Sequence, residues 1–195
     1  MKLSNKLFGA FIASVLISLS SSAFAFTACQ VTDIGGVDDK GFNATSWKGV
    51  QDAVAKHGIG SKLLESNAET DYVPNLNSFV SEGCDIIVSV GFLMGEATAN
   101  AAKENPGSKF AIVDFAYDPT IPNVMGLIYN TDEAAFLAGY LAAGVSKTGI
   151  VGTFGGINIP PVTIFMDGFV AGVMAELDHS YLVKDADVDP TATLS

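Results

Sequence analysis

The 195-residue sequence predicts an α/β fold, a parallel sheet flanked by helices on both sides. Three observations carry this. Short apolar runs alternate with segments of helical period. Two of the runs, CDIIVSVGF (84–92) and KFAIVDFA (109–116), are continuous and rich in β-branched residues, as in strands buried on both faces. Short Gly-containing loops join the segments, as they do in successive βα units. At 49% hydrophobic residues the chain can bury a real core.

The first 25 residues stand apart. A short basic start with Lys2 and Lys6 leads into an apolar run, 7–19, and then into the small-residue stretch SSSAFA (20–25). That is the pattern of a secretory signal peptide cleaved after Ala25, and it predicts export to a periplasmic or other extracytoplasmic, membrane-associated location. The run is short for a membrane span of ~20 residues. Cys29 follows Phe26-Thr27-Ala28 and sits in a strand-like run, so it is a poor site for lipid attachment.

Past Ala25 the elements follow in order. Residues 26–32 read as a strand and 44–57 as a helix, with Trp47, Val50 and Val54 along one face. Residues 61–65 are a second strand. Residues 72–81 are a helix with Val73, Leu76, Phe79 and Val80 at helical spacing. CDIIVSVGF is the third strand, 96–104 an Ala-rich helix, and KFAIVDFA the fourth strand. After the turn DPTIPN come a strand over 124–129, a helix over 132–144, a strand over 149–154 and a helix over 161–176. The apolar helical stretch 134–145 is too short to span a bilayer and reads as a buried helix near a domain junction. In such folds ligands bind at the carboxyl ends of the strands, and polar groups cluster there: 33–43, Gly91-Phe92, Asp114 and Gly155-Gly156.

Composition excludes several functions. With Lys2 and Lys6 removed, eight basic residues face 21 acidic ones, so the net charge moves from −11 to −13. The sequence has no arginine, the preferred fork for phosphate, which argues against nucleic acid and highly phosphorylated ligands. There is no C-x-x-C, and His57 and His179 are isolated, so neither a metal site nor a cofactor is expected. In an oxidising compartment Cys29 and Cys84 are either a disulfide or two buried thiols. No G-x-S-x-G, H-E-x-x-H or Walker motif is present, and no carboxylate pair is fixed as catalytic, so no enzyme activity is expected.

The stretch VTDIGGVDDKGFNATSW (31–47) crowds three aspartates and three glycines between strand and helix. One account is local: Asn43 caps the helix, Phe42 and Trp47 form a hydrophobic staple, and the aspartates are turn residues. The other is functional. Carboxylates held by the N–H groups of a helix start can still accept bonds from a ligand, and Phe42 offers a flat face. Acceptors plus an aromatic platform suit a neutral, donor-rich heterocycle such as a nucleobase better than an anion.

Four motifs then point to one family: DIGGVDDKGFNATSWKG, SVGFLMGEAT, FAIVDFAYDPTIPNV and GTFGGINIPPVTIFMDGFVAG. In order and spacing, over about 27–175, they closely resemble the basic membrane protein family, exported substrate-binding proteins of ABC-type nucleoside importers. The resemblance implies a two-lobed type I periplasmic-binding-protein fold and a purine nucleoside or similar small solute held between the lobes. An ABC permease at the membrane would be the partner. It implies that Asp33, Asp39, Asn43 and Asp114 read the base while Phe42 stacks on it. Gly91 and Phe92 would line the floor, with Gly155 and Gly156 approaching from the second lobe. Phe165 would be the opposite stacking face, or else core packing with Phe169. It also implies neighbouring first and third strands, and so a stabilising disulfide between Cys29 and Cys84. Family members are substantially longer. The expected organisation is therefore a signal peptide (1–25), a first α/β lobe (26–129) and a partial second lobe (130–195). A non-transport nucleoside sensor, or a non-functional remnant of the same fold, is the alternative.

Overall fold

The computed structural model describes residues 26–181; the expected signal peptide and the last fourteen residues lie outside the described residues. The elements run β1 (Thr27–Val31), α1 (Phe42–His57), β2 (Gly60–Leu64), α2 (Tyr72–Ser81), β3 (Ile86–Val90), α3 (Gly95–Glu104), β4 (Phe110–Val113), β5 (Val124–Leu127), α4 (Thr131–Val145) and α5 (Pro160–Tyr181). The five strands form one sheet in the order β2-β1-β3-β4-β5, and every pairing is parallel.

The strands form where the sequence is continuously apolar, because both faces of a parallel sheet are covered. All four residues of β4 are buried, and so are four of the five in β1. The main core lies between the sheet and α2/α3. It joins Cys29, Val31, Ile87, Phe110 and Ile112 of the sheet region to Leu76, Phe79, Ala101 and Ala102 of the helices. In α2 the buried face is Tyr72, Leu76 and Phe79; the expected Val73 points outward, 41% exposed. In α3 small alanines let the helix sit close to the strands, and Thr98 donates to Ser89 Oγ (2.7 Å), which donates to the Ala111 carbonyl. Those buried hydroxyls are thereby satisfied. Helix α1 ends at Gly58, whose φ of 65° suits a residue without Cβ and whose N–H reaches the Val54 carbonyl.

Cys29 and Cys84 are disulfide-bonded, with Cα atoms 6.1 Å apart. The bridge joins the middle of β1 to the entry of β3, its sheet neighbour, on the side away from the carboxyl ends.

Two expectations for the second half are corrected. The strand expected over 149–154 is absent: that stretch is loop, with Ile150 79% and Phe154 94% exposed. Apolar β-branched residues make a strand only against a partner, and no described strand runs beside this one. The 134–145 stretch is helical but not buried as a whole. Its principal packing partner is α5, and Leu137, Leu141 and Val145 are each about two-thirds exposed. The pair is held by glycines: a Cβ on Gly139 would collide with the Phe169 carbonyl oxygen, and one on Gly172 with that of Phe136.

Candidate functional site

The strand order places the topological switch point between β1 and β3, whose following connections leave in opposite directions. Asp33 stands just past the end of β1, Gly91 past β3 and Asp114 past β4. The backbone there is special. Gly91 has φ 113°, and a Cβ on it would come within 2.8 Å of Asp33 Oδ2, so only glycine admits the carboxylate at that distance. Asp114 has φ 61°, an uncommon left-handed geometry that Asp tolerates, and its N–H donates to the Leu127 carbonyl at 2.8 Å. Burial pushes the Asp114 carboxyl above its ordinary value.

Asp33, Phe42, Gly91, Phe92 and Asp114 line one cleft of about 270 Å³, with Leu93 beside them. The opposite wall is Ile157, Ile159, Pro161 and Val162, from the segment entering α5. Asp33 is fixed rather than free: its Oδ1 accepts from the Gly35 N–H (2.9 Å) and from Asn43 Nδ2 (2.8 Å). Behind Phe92 the rings of Phe115 and Tyr117 continue at centroid spacings of 4.9 Å. Tyr117 donates to the Gly95 carbonyl at 2.6 Å, and burial pushes its pKa up to about 12, so it stays a neutral donor.

Asp39 and Asn43 differ from the expected roles. Helix α1 starts at Phe42, two residues earlier than an Asn43 cap would require, so Phe42 and Trp47 are not in staple register. The carboxylate of Asp39 holds the helix start: Oδ1 accepts from the Gly41 and Ala44 N–H groups and Oδ2 from that of Asn43. Desolvation is the largest single influence on Asp39 and raises its pKa. The backbone donors of Gly41, Ala44, Asn43 and Phe42 together outweigh it, so the carboxyl titrates below its ordinary value. Asn43 is 1% exposed and supports Asp33 from beneath.

From the second half, Gly155 packs against Val162 and Met166 of α5, Gly156 faces open space, and Phe165 is 45% exposed outside the cleft. Sequence reasoning missed Ile157, Ile159, Pro161 and Val162. The signal was in GGINIPPV, where apolar Ile157 and Ile159 stand in a Gly/Pro-rich loop with no strand or helix period to account for them.

A larger space of about 730 Å³ lies beside α1 over Val88, Val113 and Leu127 and shares Phe42 and Asp114 with the cleft. Its lining is mostly apolar, and it marks where, among the described residues, this face of the sheet has one covering helix, α1, against two on the other. The cleft at the strand ends, with carboxylates and rings converging, is the better site for a small polar ligand.

This architecture is the periplasmic-binding-protein-like fold, which solute-binding proteins of ABC systems share with some transcription regulators. A crystal structure of an ABC solute-binding protein from Aeropyrum pernix K1 is similar with TM-score 0.72 and 26% identity, over 83% of this chain and 46% of that one. The family model described as "ABC transporter substrate-binding protein PnrA-like" matches residues 26–185. The chain belongs to that family, the basic membrane protein family. Among similar relatives, the "ABC transporter nucleoside-binding protein BmpA" of Lactococcus lactis subsp. cremoris is 38% identical over 74% of this chain and 42% of its own length. The "CD4+ T-cell-stimulating antigen" of Listeria monocytogenes is 36% identical over 84% of this chain and 48% of its own. The chain thus spans about half the length of these relatives.

Proposed function

We propose that this chain is the base-reading part of an exported solute-binding protein that passes a purine nucleoside, or a similar neutral heterocycle, to an ABC permease. The observation that carries the reading is the convergence of two carboxylates, Asp33 and Asp114, and two rings, Phe42 and Phe92, in one cleft at the switch point. No lysine is among the residues lining it. Carboxylates without a balancing cation reject anions and accept N–H and O–H donors, while an aromatic face takes the flat ring of a base. The name of the lactococcal relative points to the same ligand class. The role is binding and hand-over, without catalysis or a cofactor.

In this reading Asp33 and Asp114 accept from the ligand, Phe42 and Phe92 contact its ring, and Gly91 admits Asp33. Asn43 and Asp39 hold the loop, and 26–129 and 130–195 are the first lobe and part of the second. The deciding experiment is calorimetric titration of guanosine, adenosine, inosine and ribose into the purified protein, after circular dichroism has established that it is folded. Saturable binding of a nucleoside but not of ribose is the expected outcome. A folded protein that binds none of them overturns the reading.

A further inference from the structure

We propose that Glu65, which lies outside the cleft, is a positioning residue that sets the loop carrying Asp33 into it. The inference rests on the cleft reading above. Glu65 follows β2, the strand beside β1, so the exits of both strands lie together at the carboxyl edge of the sheet. Its Oε2 accepts from the Val37 N–H at 2.8 Å, in the middle of the 33–41 loop. The same oxygen lies 3.0 Å from where a Cβ on Gly36 would stand, so the carboxylate sits close beside the turn at Gly36, φ +65°, where any side chain would crowd it. Gly36 in turn donates to the Asp33 carbonyl at 3.3 Å, which links the tethered turn to the residue in the cleft.

Glu65 is itself well mounted. Asn75 of α2 donates to the Glu65 carbonyl (3.2 Å) and to Ser66 Oγ (3.1 Å). The Ser66 N–H reaches Thr32 Oγ1 (3.4 Å), and the Thr32 N–H reaches the Leu64 carbonyl (3.0 Å). The chain after β2 is thereby tied both to α2 and to the residue before Asp33. Two of the loop's own carboxylates look inward: Asp33 binds Gly35 and Asn43, and Asp39 binds the start of α1. Glu65 brings a charge-assisted acceptor from another element to the part of the loop between them. Ordering a loop before the ligand arrives removes a cost that binding would otherwise bear.

The test compares Glu65→Ala and Glu65→Gln with the unaltered protein in three measurements: hydrogen exchange at the Val37 amide, guanosine affinity and the thermal midpoint. Gln keeps an acceptor oxygen and loses the charge. The expected result is faster Val37 exchange in Glu65→Ala and a roughly three- to tenfold loss of affinity, with Glu65→Gln returning most of both. The thermal midpoint should stay within about 2 °C, because an exposed tether contributes little to global stability. Unchanged Val37 exchange in Glu65→Ala overturns the tether. Faster exchange with unchanged affinity overturns the positioning role, and a large fall in the midpoint assigns Glu65 to general stability instead. If the unaltered protein binds no nucleoside, the cleft reading fails by itself and the exchange data still decide whether Glu65 holds the loop.

Discussion

The sheet lobe and the α4/α5 hairpin are both rich in apolar residues, yet they end in different physical states. In the lobe, strands and helices alternate, so each apolar face meets another, and Ile87, Ile112, Leu76 and Met94 are fully buried. In the hairpin two helices meet along a glycine seam and otherwise face outward, leaving Leu137, Leu141, Phe165 and Val170 in solvent. Hydrophobic composition therefore does not bury a segment; a second layer does. The candidate site follows the same division. Its charged and aromatic groups come from the lobe, while the hairpin region contributes an apolar wall.

The largest expected effect would break the lobe alone. Replacing both Cys29 and Cys84 by Ala opens a crosslink between residues 55 apart and should cost about 2–4 kcal/mol of lobe stability. Denaturant unfolding followed by exchange at β1 and β3 would measure it, and α4/α5 exchange should hardly change. The converse change is Gly172→Val. A side chain there collides with the Phe136 backbone, so the hairpin should open at a cost of about 1–3 kcal/mol or more while the lobe keeps its protection. If both variants loosened both regions equally, the two would be one cooperative unit.

Smaller effects concern the site. Phe42→Ala should lose stacking worth ~1–3 kcal/mol of nucleoside affinity, read by calorimetry, with little change in melting because the ring is 40% exposed. Asp114→Asn is subtler. The folded carboxyl has a raised pKa, so between the unfolded value near 3.8 and the folded one the native state holds more protons. Stability due to this group therefore falls as pH rises through that window. The amide should slightly stabilise the lobe at neutral pH and flatten the slope in melts across the acidic range. Its nucleoside affinity should drop several-fold at neutral pH, where the native protein presents a carboxylate acceptor. An affinity unchanged in both variants would remove Phe42 and Asp114 from the site.

Most of the lobe was legible because its signals are local. Continuous β-branched runs gave β3 and β4, the 72–81 period gave α2, and polar residues after each strand pointed to the carboxyl edge. The resemblance of the four motifs, rather than cysteine spacing, gave the Cys29–Cys84 pairing. The failures were those where a partner decides. The 149–154 stretch has strand composition and nothing to pair with. Asn43 has cap chemistry, but the helix starts before it, and Asp39, four residues earlier, takes the N–H groups of Asn43 and Ala44 while Asn43 holds Asp33. Ile157 and Ile159 became a cleft wall only because the chain entering α5 returns over the strand ends.

By itself the sequence determined most element types of the sheet lobe, the parallel sheet, the acidic and arginine-free character, and the clustering of polar residues just past the strand ends. Those properties depend on residue type and near-neighbour spacing. Tertiary structure decided which carboxylates face the cleft and which are tied to backbone, because that depends on where donors from other elements arrive. It also decided that α4 and α5 stay largely exposed, since burial depends on a second surface.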